Sequence, residues 1–457
     1  MRTLLVSTYE LGHQPLHLAS PAAALLDGGH EVRCLDLSVD PWSPELVDWA
    51  DAVAFSVPMH TAMRLAVPAA RSVRRRRSEL PICLYGLYAP VSRDLIVGAV
   101  ADRVIAGEYE AALVAWVDEV DAQAVEGGAP PAARFELRLD RASFPTPARH
   151  LLPSLERYAH LALGGEERVV GYVEATHGCR HRCRHCPLPA VYDGALRVVG
   201  RDTVLADVEQ LVDLGARHIT FGDPDFLNGP THSLRVVRAL RERFPELTFD
   251  CTVKVEHVLR HAALWPELTA SGCLFVVTAI ESLNDDILAR LDKGHTAGDA
   301  AAAVELLREH GIEPRPTFLP FTPWTTLADV LELLDFVARH DLVGNVDPVQ
   351  YSLRLLLPEG SLLLDRPDAT LCESLGDYDA ERLTYAWSAA DPMVDLLQAR
   401  LAALTEQAAA AGEAAHETFV RVRAAALEVA GIEAEPAVAI PQGSTEGRPR
   451  LTEPWFC

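Results

Sequence analysis

Three closely spaced cysteines are the strongest chemical feature of this chain. Residues 176 to 186 read THGCRHRCRHC and place Cys179, Cys183 and Cys186 in a CxxxCxxC spacing. An apolar run that predicts a strand precedes them, and no fourth cysteine is near. Iron–sulfur clusters that only carry electrons usually have four cysteine ligands. We therefore predict that the three thiolates bind three irons of a [4Fe-4S] cluster and leave the fourth iron open to an external ligand.

Two other interpretations of these cysteines stay open on the residues alone. A structural zinc ion needs a fourth ligand, and His177, His181 or His185 could supply it. Alternatively, the cysteines are reduced side chains without any ligand. Arginines alternate with the cysteines, and nearby cations favour thiolate over thiol, which suits a metal site.

The CxxxCxxC motif after a strand resembles the cluster motif of the radical SAM superfamily. This resemblance implies that the amino and carboxylate groups of S-adenosylmethionine (SAM) chelate the open iron. An electron from the reduced cluster would then split the SAM sulfonium and give a 5′-deoxyadenosyl radical, while the protein supplies position and electrostatics. The resemblance also implies a partial barrel of β/α units and an electron donor such as flavodoxin or ferredoxin.

A polar turn follows the predicted strand His218 to Phe221. It contains Gly222, Asp223 and Asp225, and turns after strands are where a β/α barrel presents ligand-contacting groups. The turn resembles the acidic, glycine-rich motif that holds the SAM ammonium group in radical SAM proteins. On the residues alone, a plain Asp-Pro turn remains the alternative.

Later predicted strands also end in polar residues. Glu281 and Ser282 follow an apolar strand, and they resemble the ribose-contacting pair of the superfamily. Thr322 follows the next strand, where we expect it to border the adenine or the substrate. A sixth strand is predicted from Val346 to Arg354, which completes six β/α units.

The first 120 residues alternate five predicted strands with helices. This order predicts an open, parallel, doubly wound sheet with its ligand crevice at the carboxyl ends of the strands. The segment resembles the cobalamin-binding domain that precedes many radical SAM modules, including the pair Gly107 and Glu108 after the last strand. The DxHxxG sequence that supplies an axial histidine in some cobalamin proteins is absent. Cobalamin binding and a Rossmann-like domain without cobalamin therefore both stay open.

Changes in composition divide the chain into five parts. Residues after 120 are rich in Ala, Pro and Gly, as linkers are, and the sequence after Pro367 predicts Ala-rich helices at Tyr378 to Ala411 and Ala414 to Val429. The predicted α/β chain comprises a Rossmann-like, cobalamin-binding-like domain at 1–120, a linker at 121–165, a radical SAM partial (β/α)6 barrel at 166–370, a helical C-terminal region at 371–432 and a flexible tail at 433–457.

The composition also argues against some classes of binding partner. A formal net charge of -24 argues against sequence-independent binding of nucleic acid, which needs a basic face. No apolar run approaches the roughly 20 residues of a membrane span, and the first residues turn polar too early for a secretory signal. We expect a cytoplasmic, reducing location and no membrane or nucleic-acid partner.

The last six residues, TEPWFC, resemble the tail of the CUAEP/CCAEP-tail radical SAM proteins. In that group a cysteine is followed by selenocysteine or cysteine and then by Ala-Glu-Pro. We expect the natural protein to be a selenoprotein that continues with selenocysteine after Cys457; an end at Cys457 is the alternative. Such a pair would act in redox chemistry or bind a soft element.

The leading functional hypothesis is a radical SAM enzyme that acts on a small molecule or peptide. If cobalamin is bound, the resemblance implies methyl transfer to an unactivated carbon or phosphorus. Without cobalamin, it implies hydrogen abstraction or transfer of another SAM fragment. Two other classes stay open: an iron–sulfur electron carrier or redox sensor with a thiol or selenol tail, and a zinc-stabilised binding module.

Overall fold

The computed structural model describes residues 1–126, 132–140, 143–433 and 447–452. Its first unit is built on one six-stranded sheet. The strands are β1 (Arg2–Ser7), β2 (Glu31–Asp36), β3 (Ala52–Ser56), β4 (Ile82–Tyr85), β5 (Arg103–Gly107) and β6 (Arg134–Arg138). The helices are α1 (Leu16–Asp27), α2 (Pro44–Trp49), α3 (His60–Arg76), α4 (Arg93–Ile96) and α5 (Glu110–Glu126).

All neighbouring strands of this sheet run parallel, in the order β2-β1-β3-β4-β5-β6. Helices cover both faces, with Leu18 of α1 and Trp116 of α5 in the core on one side and Met63 of α3 on the other. The strand order reverses between β1 and β3: β2 lies on one side of β1, and the later strands lie on the other. Such a switch point leaves a crevice at the carboxyl ends of the strands. The predicted doubly wound sheet is confirmed.

Strand β6 lies in the span that the sequence analysis assigns to a linker. Its residues, RFELR, form too short and too charged a run to stand out from their surroundings. In the structure β6 pairs with β5, and the buried Arg103 forms ion pairs with Glu119 and Glu136. These long-range contacts fix the strand. Residues 127–131 and 141–142 of the predicted linker lie outside the described residues.

The second unit contains the cysteine loop. Its strands are β7 (His160–Leu163), β8 (Glu166–Val173), β9 (Thr176–Gly178), β10 (Leu196–Val198), β11 (His218–Phe221), β12 (Thr248–Thr252), β13 (Cys273–Glu281) and β14 (Glu313–Phe318). Its helices are α6 (Leu188–Tyr192), α7 (Arg201–Asp213), α8 (Pro230–Arg243), α9 (Val255–Arg260), α10 (Trp265–Ala270), α11 (Asp285–Arg290), α12 (Ala297–Glu309) and α13 (Leu327–Arg339). Short 3-10 helices lie at Arg149–Leu151, Leu155–Arg157, Phe226–Asn228, Ala262–Leu264 and Pro348–Ser352.

Five parallel strands, in the order β14-β13-β12-β11-β8, form a half barrel with helices outside. The predicted partial barrel is therefore confirmed as a fold. At the predicted sixth strand, however, the chain forms the 3-10 helix Pro348–Ser352 and a single parallel bridge between Phe321 and Arg354. Here the side chain of Gln350 accepts a hydrogen bond from the backbone N–H of Phe318, in place of a ladder partner.

The C-terminal region comprises α14 (Leu362–Asp365), α15 (Ala369–Ser374), β15 (Leu375–Asp379), β16 (Thr384–Trp387), α16 (Pro392–Ala411), α17 (Ala415–Val429) and β17 (Arg450–Leu451). The first predicted helix therefore begins at Pro392 and not at Tyr378, because Asp391 caps it and proline favours the first turn. The hairpin β15–β16 fills the preceding residues, and Leu383 in its turn is buried in the core of the first unit.

Part of the predicted tail is ordered against the half barrel. Strand β17 pairs antiparallel with β7 at the edge of the sheet, and Arg448 forms an ion pair with Asp341. Residues 434–446 and 453–457 lie outside the described residues, so the structure says nothing of Cys457. Within the described part of the chain, no helix has the length and apolar character that crossing a bilayer requires.

Candidate cofactor site

The three cysteines lie on one loop after β8 and β9. Cys179 and Cys183 are buried and Cys186 is partly buried. The side-chain amide of Asn228 donates to Sγ of Cys179 at 3.3 Å, and the Lys254 ammonium donates to Sγ of Cys183 at 3.6 Å. Burial raises the pKa of the Cys186 thiol to about 12, so a metal is needed to hold this group as a thiolate. Donors aimed at buried sulfurs fit three ligands of an iron–sulfur cluster.

The start of this loop is fixed by a buried carboxyl group. Asp223 accepts hydrogen bonds from the backbone N–H of Ala175 at 2.9 Å and from the hydroxyl of Thr176. Burial raises the pKa of Asp223 to about 7. Gly178 has a φ of 74°, and a Cβ at this position would lie 2.3 Å from the carbonyl oxygen of Ala195. Only glycine fits here without moving the backbone.

The two lysines of the chain both lie beside the loop. Only two of the 41 lysine and arginine residues are lysines, and Lys254 and Lys293 are both buried. The Lys293 ammonium is 3.2 Å from Oε1 of Glu281. Burial alone would raise the pKa of Glu281, but Lys293 and His185 outweigh it and lower that pKa to about 2. An ammonium is a compact point charge, so the two lysines place positive charge where an anionic cofactor would lie.

The predicted ammonium-binding turn is mostly occupied by contacts within the protein. Both oxygens of Asp223 hold the start of the cysteine loop. Asp225 is fully buried and accepts a hydrogen bond from the backbone N–H of Leu227 at 3.1 Å, which caps a 3-10 helix. Gly222 lines an open cavity, and a Cβ there would lie 1.9 Å from the hydroxyl of Tyr172.

The other three predicted residues lie at the ends of later strands. Glu281 has a φ of 67°, a strained backbone conformation for a residue other than glycine. The hydroxyl of Ser282 accepts from the N–H of Asn284 at 3.1 Å. Thr322 is fully buried, with its hydroxyl 2.9 Å from that of Thr325, so it has no free surface for an adenine or a substrate.

A cavity lies where the two sheets face each other. Its volume is about 190 Å³, and it lies beside a second cavity of about 540 Å³ that reaches Cys186. Leu87 borders both. Residues at the ends of strands in the first sheet line the central cavity, as predicted for the crevice of a doubly wound sheet. They are Glu10, Leu11, His13, Pro58, Met59, Gly86, Leu87 and Gly107.

A buried set of charges joins the two units and lines this cavity. His177 is 3.0 Å from Glu108 and 3.2 Å from Glu174, and Glu174 is 3.5 Å from His17. The hydroxyl of Tyr172 also donates to Glu174 at 2.9 Å. No sequence pattern marks His17 or Glu174 as site residues. The Gly107-Glu108 pair was the only available signal, since pairing across the two units leaves no local pattern.

These charges predict a dependence of stability on pH. Burial alone would lower the pKa of His17, but Glu10 and Glu174 outweigh it and raise that pKa to about 9, from about 6.5 for free histidine. The stabilisation from protonated His17 is therefore complete below about pH 6.5 and is lost as the pH rises through about 9. We expect the thermal midpoint to fall by several degrees across this window, as measured by differential scanning fluorimetry.

Two variants separate this effect from general alkaline destabilisation. His17→Gln should remove part of the change between these pH values, while His150→Gln, at an exposed position, should retain all of it. The rest arises from His177: burial alone would lower its pKa, but Glu108 and Glu174 raise it. An unchanged pH profile in the His17 variant would show that this histidine does not carry the effect.

Comparison with known proteins identifies the domain that holds the cysteine loop. Residues 173–337 match the family described as the radical SAM superfamily. This part of the chain is a radical SAM domain. The radical SAM fold implies a [4Fe-4S] cluster and SAM as cofactors, and Cys179, Cys183 and Cys186 fall within the matched residues.

Solved structures of cobalamin-dependent radical SAM enzymes share the fold of most of this chain, beyond residues 173–337. OxsB, described as a cobalamin-dependent S-adenosylmethionine radical enzyme with aqua-cobalamin bound, has a TM-score of 0.66 and 15% identity over 87% of this chain. TsrM from Kitasatospora setae, a radical SAM methyltransferase with cobalamin and a [4Fe-4S] cluster bound, has a TM-score of 0.55 and 20% identity over 74% of this chain.

The two matches differ in how much of the other protein they cover. The present chain spans 66% of the OxsB chain and 73% of the TsrM chain. At these identities the likeness shows a shared fold, with a doubly wound unit followed by a half barrel. A search of curated proteins finds no match.

Proposed function

We propose that this protein is a radical SAM enzyme in which Cys179, Cys183 and Cys186 hold a [4Fe-4S] cluster. The observation that carries the proposal is a loop with three cysteines and no fourth cysteine, placed at the carboxyl ends of the strands of a radical SAM domain. When bound, the cluster and SAM supply an electron and a 5′-deoxyadenosyl group for radical chemistry.

The surrounding residues would position SAM in distinct ways. Gly222 would leave the backbone accessible from the cavity, and Asp223 and Asp225 would hold the turn in place, since both oxygens of Asp223 and Oδ1 of Asp225 accept hydrogen bonds inside the protein. Glu281, fixed as an anion by Lys293, and the neighbouring Ser282 would bind hydroxyl groups of the ribose. Thr322 would support the shape of its turn without touching the ligand.

We propose cobalamin as a second cofactor, held between the two sheets. The crevice at the carboxyl ends of β1, β3, β4 and β5 supports this, and so do the shared folds of OxsB and TsrM. Gly86 and Gly107 keep the rim free of side chains, while Leu87, Pro58 and Met59 offer apolar contacts. A corrin ring is large, so it would need both adjoining cavities. Cobalamin, when bound, supplies a methyl group for transfer to an unactivated carbon or phosphorus.

Corrinoid binding tests the methyl-transfer branch. We expect the anaerobically purified protein, incubated with hydroxocobalamin and desalted, to retain about one corrinoid per chain by its ultraviolet–visible spectrum. Leu87→Trp should fill the boundary of the two cavities and weaken binding by about tenfold or more. Leu95→Trp is the matched control, because Leu95 is 48% exposed on α4.

The outcomes separate the two branches of radical chemistry. Retention by the wild type and the Leu95 variant, with loss in the Leu87 variant, supports cobalamin-dependent methyl transfer. A wild-type protein that retains no corrinoid contradicts it and favours hydrogen abstraction or transfer of another SAM fragment. Continuation of the chain by selenocysteine after Cys457 stays a separate prediction.

A further inference from the structure

Two histidines and an aspartate meet beside the cysteine loop without being part of the cysteine motif. His181 lies on the loop, Asp225 follows β11, and His257 lies in the first turn of α9. One ligand atom from each residue lies within 4.8 Å of those from the other two. Three separate elements of the half barrel therefore converge on one point.

The contacts among these side chains leave ligand atoms free. Oδ2 of Asp225 and Nδ1 of His257 are only 2.7 Å apart. Neither atom has a partner with hydrogen-bond geometry among the described residues, although both are buried. Burying a carboxylate oxygen without a hydrogen bond destabilises the folded protein. A cation bound to Oδ2 of Asp225 would remove that cost.

The distances suit a transition metal. Nε2 of His181 is 3.3 Å from Nε2 of His257 and 3.7 Å from Oδ2 of Asp225. Two ligands about 2.1 Å from a tetrahedral ion lie about 3.4 Å apart, so these two separations are close to the edges of a tetrahedron. The ligand atom of His257 is then Nε2, while its Nδ1 stays beside Asp225. Imidazole and carboxylate ligands are the set preferred by zinc and ferrous iron.

We propose that His181, Asp225 and His257 bind a mononuclear divalent transition metal, separate from the iron–sulfur cluster. The ion would join the cysteine loop to the turns after β11 and β12 and so hold the loop in place. Glu256, 3.6 Å from Nδ1 of His181, would orient that ring from outside the ligand set. The same carboxylate lies 3.8 Å from the Lys254 ammonium and offsets its charge.

Zinc is the probe for this site. The test loads the cluster-reconstituted protein with one equivalent of Zn²⁺ under anaerobic conditions, desalts it, and measures zinc and iron separately by mass spectrometry. We expect about one zinc per chain beside the cluster iron, with nitrogen and oxygen scatterers only in zinc K-edge absorption. Zinc in a sulfur environment would place it on the cysteines and overturn the proposal, as would a wild type that retains no zinc.

Variants separate a built site from adventitious zinc. His257→Ala should lower zinc retention by about tenfold or more and leave the cluster iron unchanged. His261→Ala is the matched control, because its ring packs 5.3 Å from that of His257 without joining the three ligands. Equal zinc in the His257 variant and the wild type would mean adventitious binding and would overturn the proposal.

Two more variants keep the test decisive. Asp225→Asn can still cap the 3-10 helix, so it should fold and yet lose zinc, even if His257→Ala does not fold. Cys183→Ala should lose the cluster iron and still bind zinc. That result also distinguishes the two centres, since failure of the cluster would leave the zinc site intact.

Discussion

Cys183→Ala is expected to abolish the iron–sulfur cluster and to reduce formation of 5′-deoxyadenosine from SAM to background, a loss of at least about a hundredfold. Each of the three cysteines would hold one iron, and two thiolates cannot anchor a cubane. Cys183 is buried, and its sulfur accepts a hydrogen bond from Lys254 at 3.6 Å. The variant would also leave this ammonium without its sulfur acceptor, with Glu256 at 3.8 Å as its remaining partner.

Three measurements check this expectation. Iron and sulfide analysis reports cluster content, EPR of the reduced protein with and without SAM reports whether SAM reaches the cluster, and chromatography reports 5′-deoxyadenosine. Cys251→Ala is the matched control, because Cys251 is also buried but lies within β12. It should retain both the iron and the product.

The same measurements decide among the functional classes. An EPR signal that SAM perturbs in the wild type supports the enzyme. A cluster signal that SAM leaves unchanged, with no 5′-deoxyadenosine, would instead indicate an electron carrier or redox sensor. Zinc bound to the cysteines, without iron, would indicate a zinc-stabilised binding module.

The cysteine loop could be predicted from sequence because its chemistry is local. The ligand spacing, the preceding strand and the glycine at Gly178 all lie within a few residues of one another. The parallel sheets were also predictable, since buried parallel strands are continuous apolar runs separated by helices. These features depend on short-range periodicity and on ligand spacing.

Other features depend on contacts between distant segments. Thr322 follows a strand in the expected order, yet its hydroxyl bonds to Thr325 and is fully buried. Asp225 was predicted to contact SAM, whereas its oxygens lie against the backbone of Leu227 and the ring of His257. The sequence order predicts the end of the strand at which a side chain lies, but not the neighbour that occupies its polar atoms.

The segment between the two units is a second case in which the sequence does not predict contacts between distant residues. Its composition resembles a linker, and local hydropathy gives no sign of a buried residue. Nevertheless Arg149 is fully buried and binds Asp207 through two hydrogen bonds of 2.8 Å each. The guanidinium also donates to the carbonyl oxygen of Tyr172 at 2.6 Å. One arginine thus joins the supposed linker to β8 and α7.

Arg149→Met is expected to destabilise the protein by about 3–5 kcal/mol, because it would leave Asp207 as an unpaired buried charge. The carbonyl of Tyr172 would lose a charged donor as well. For a chain of this size, the loss corresponds to a fall in the thermal midpoint of about 3–5 °C. Scanning fluorimetry of the cluster-loaded protein measures it.

A double variant distinguishes the buried charge from a general packing defect. Arg149→Met combined with Asp207→Leu removes both charges, so it should regain much of the stability that Arg149→Met alone loses. Arg76→Met is the control: its ion pair with Asp48 is exposed, and such pairs contribute only about 0–1 kcal/mol. If the double variant were as unstable as the single one, the loss would arise from missing packing and hydrogen bonds around Arg149. If both were as stable as the wild type, the ion pair would not hold the connecting segment on β8 and α7, and the contact between the two units would depend on the charges around His177 instead.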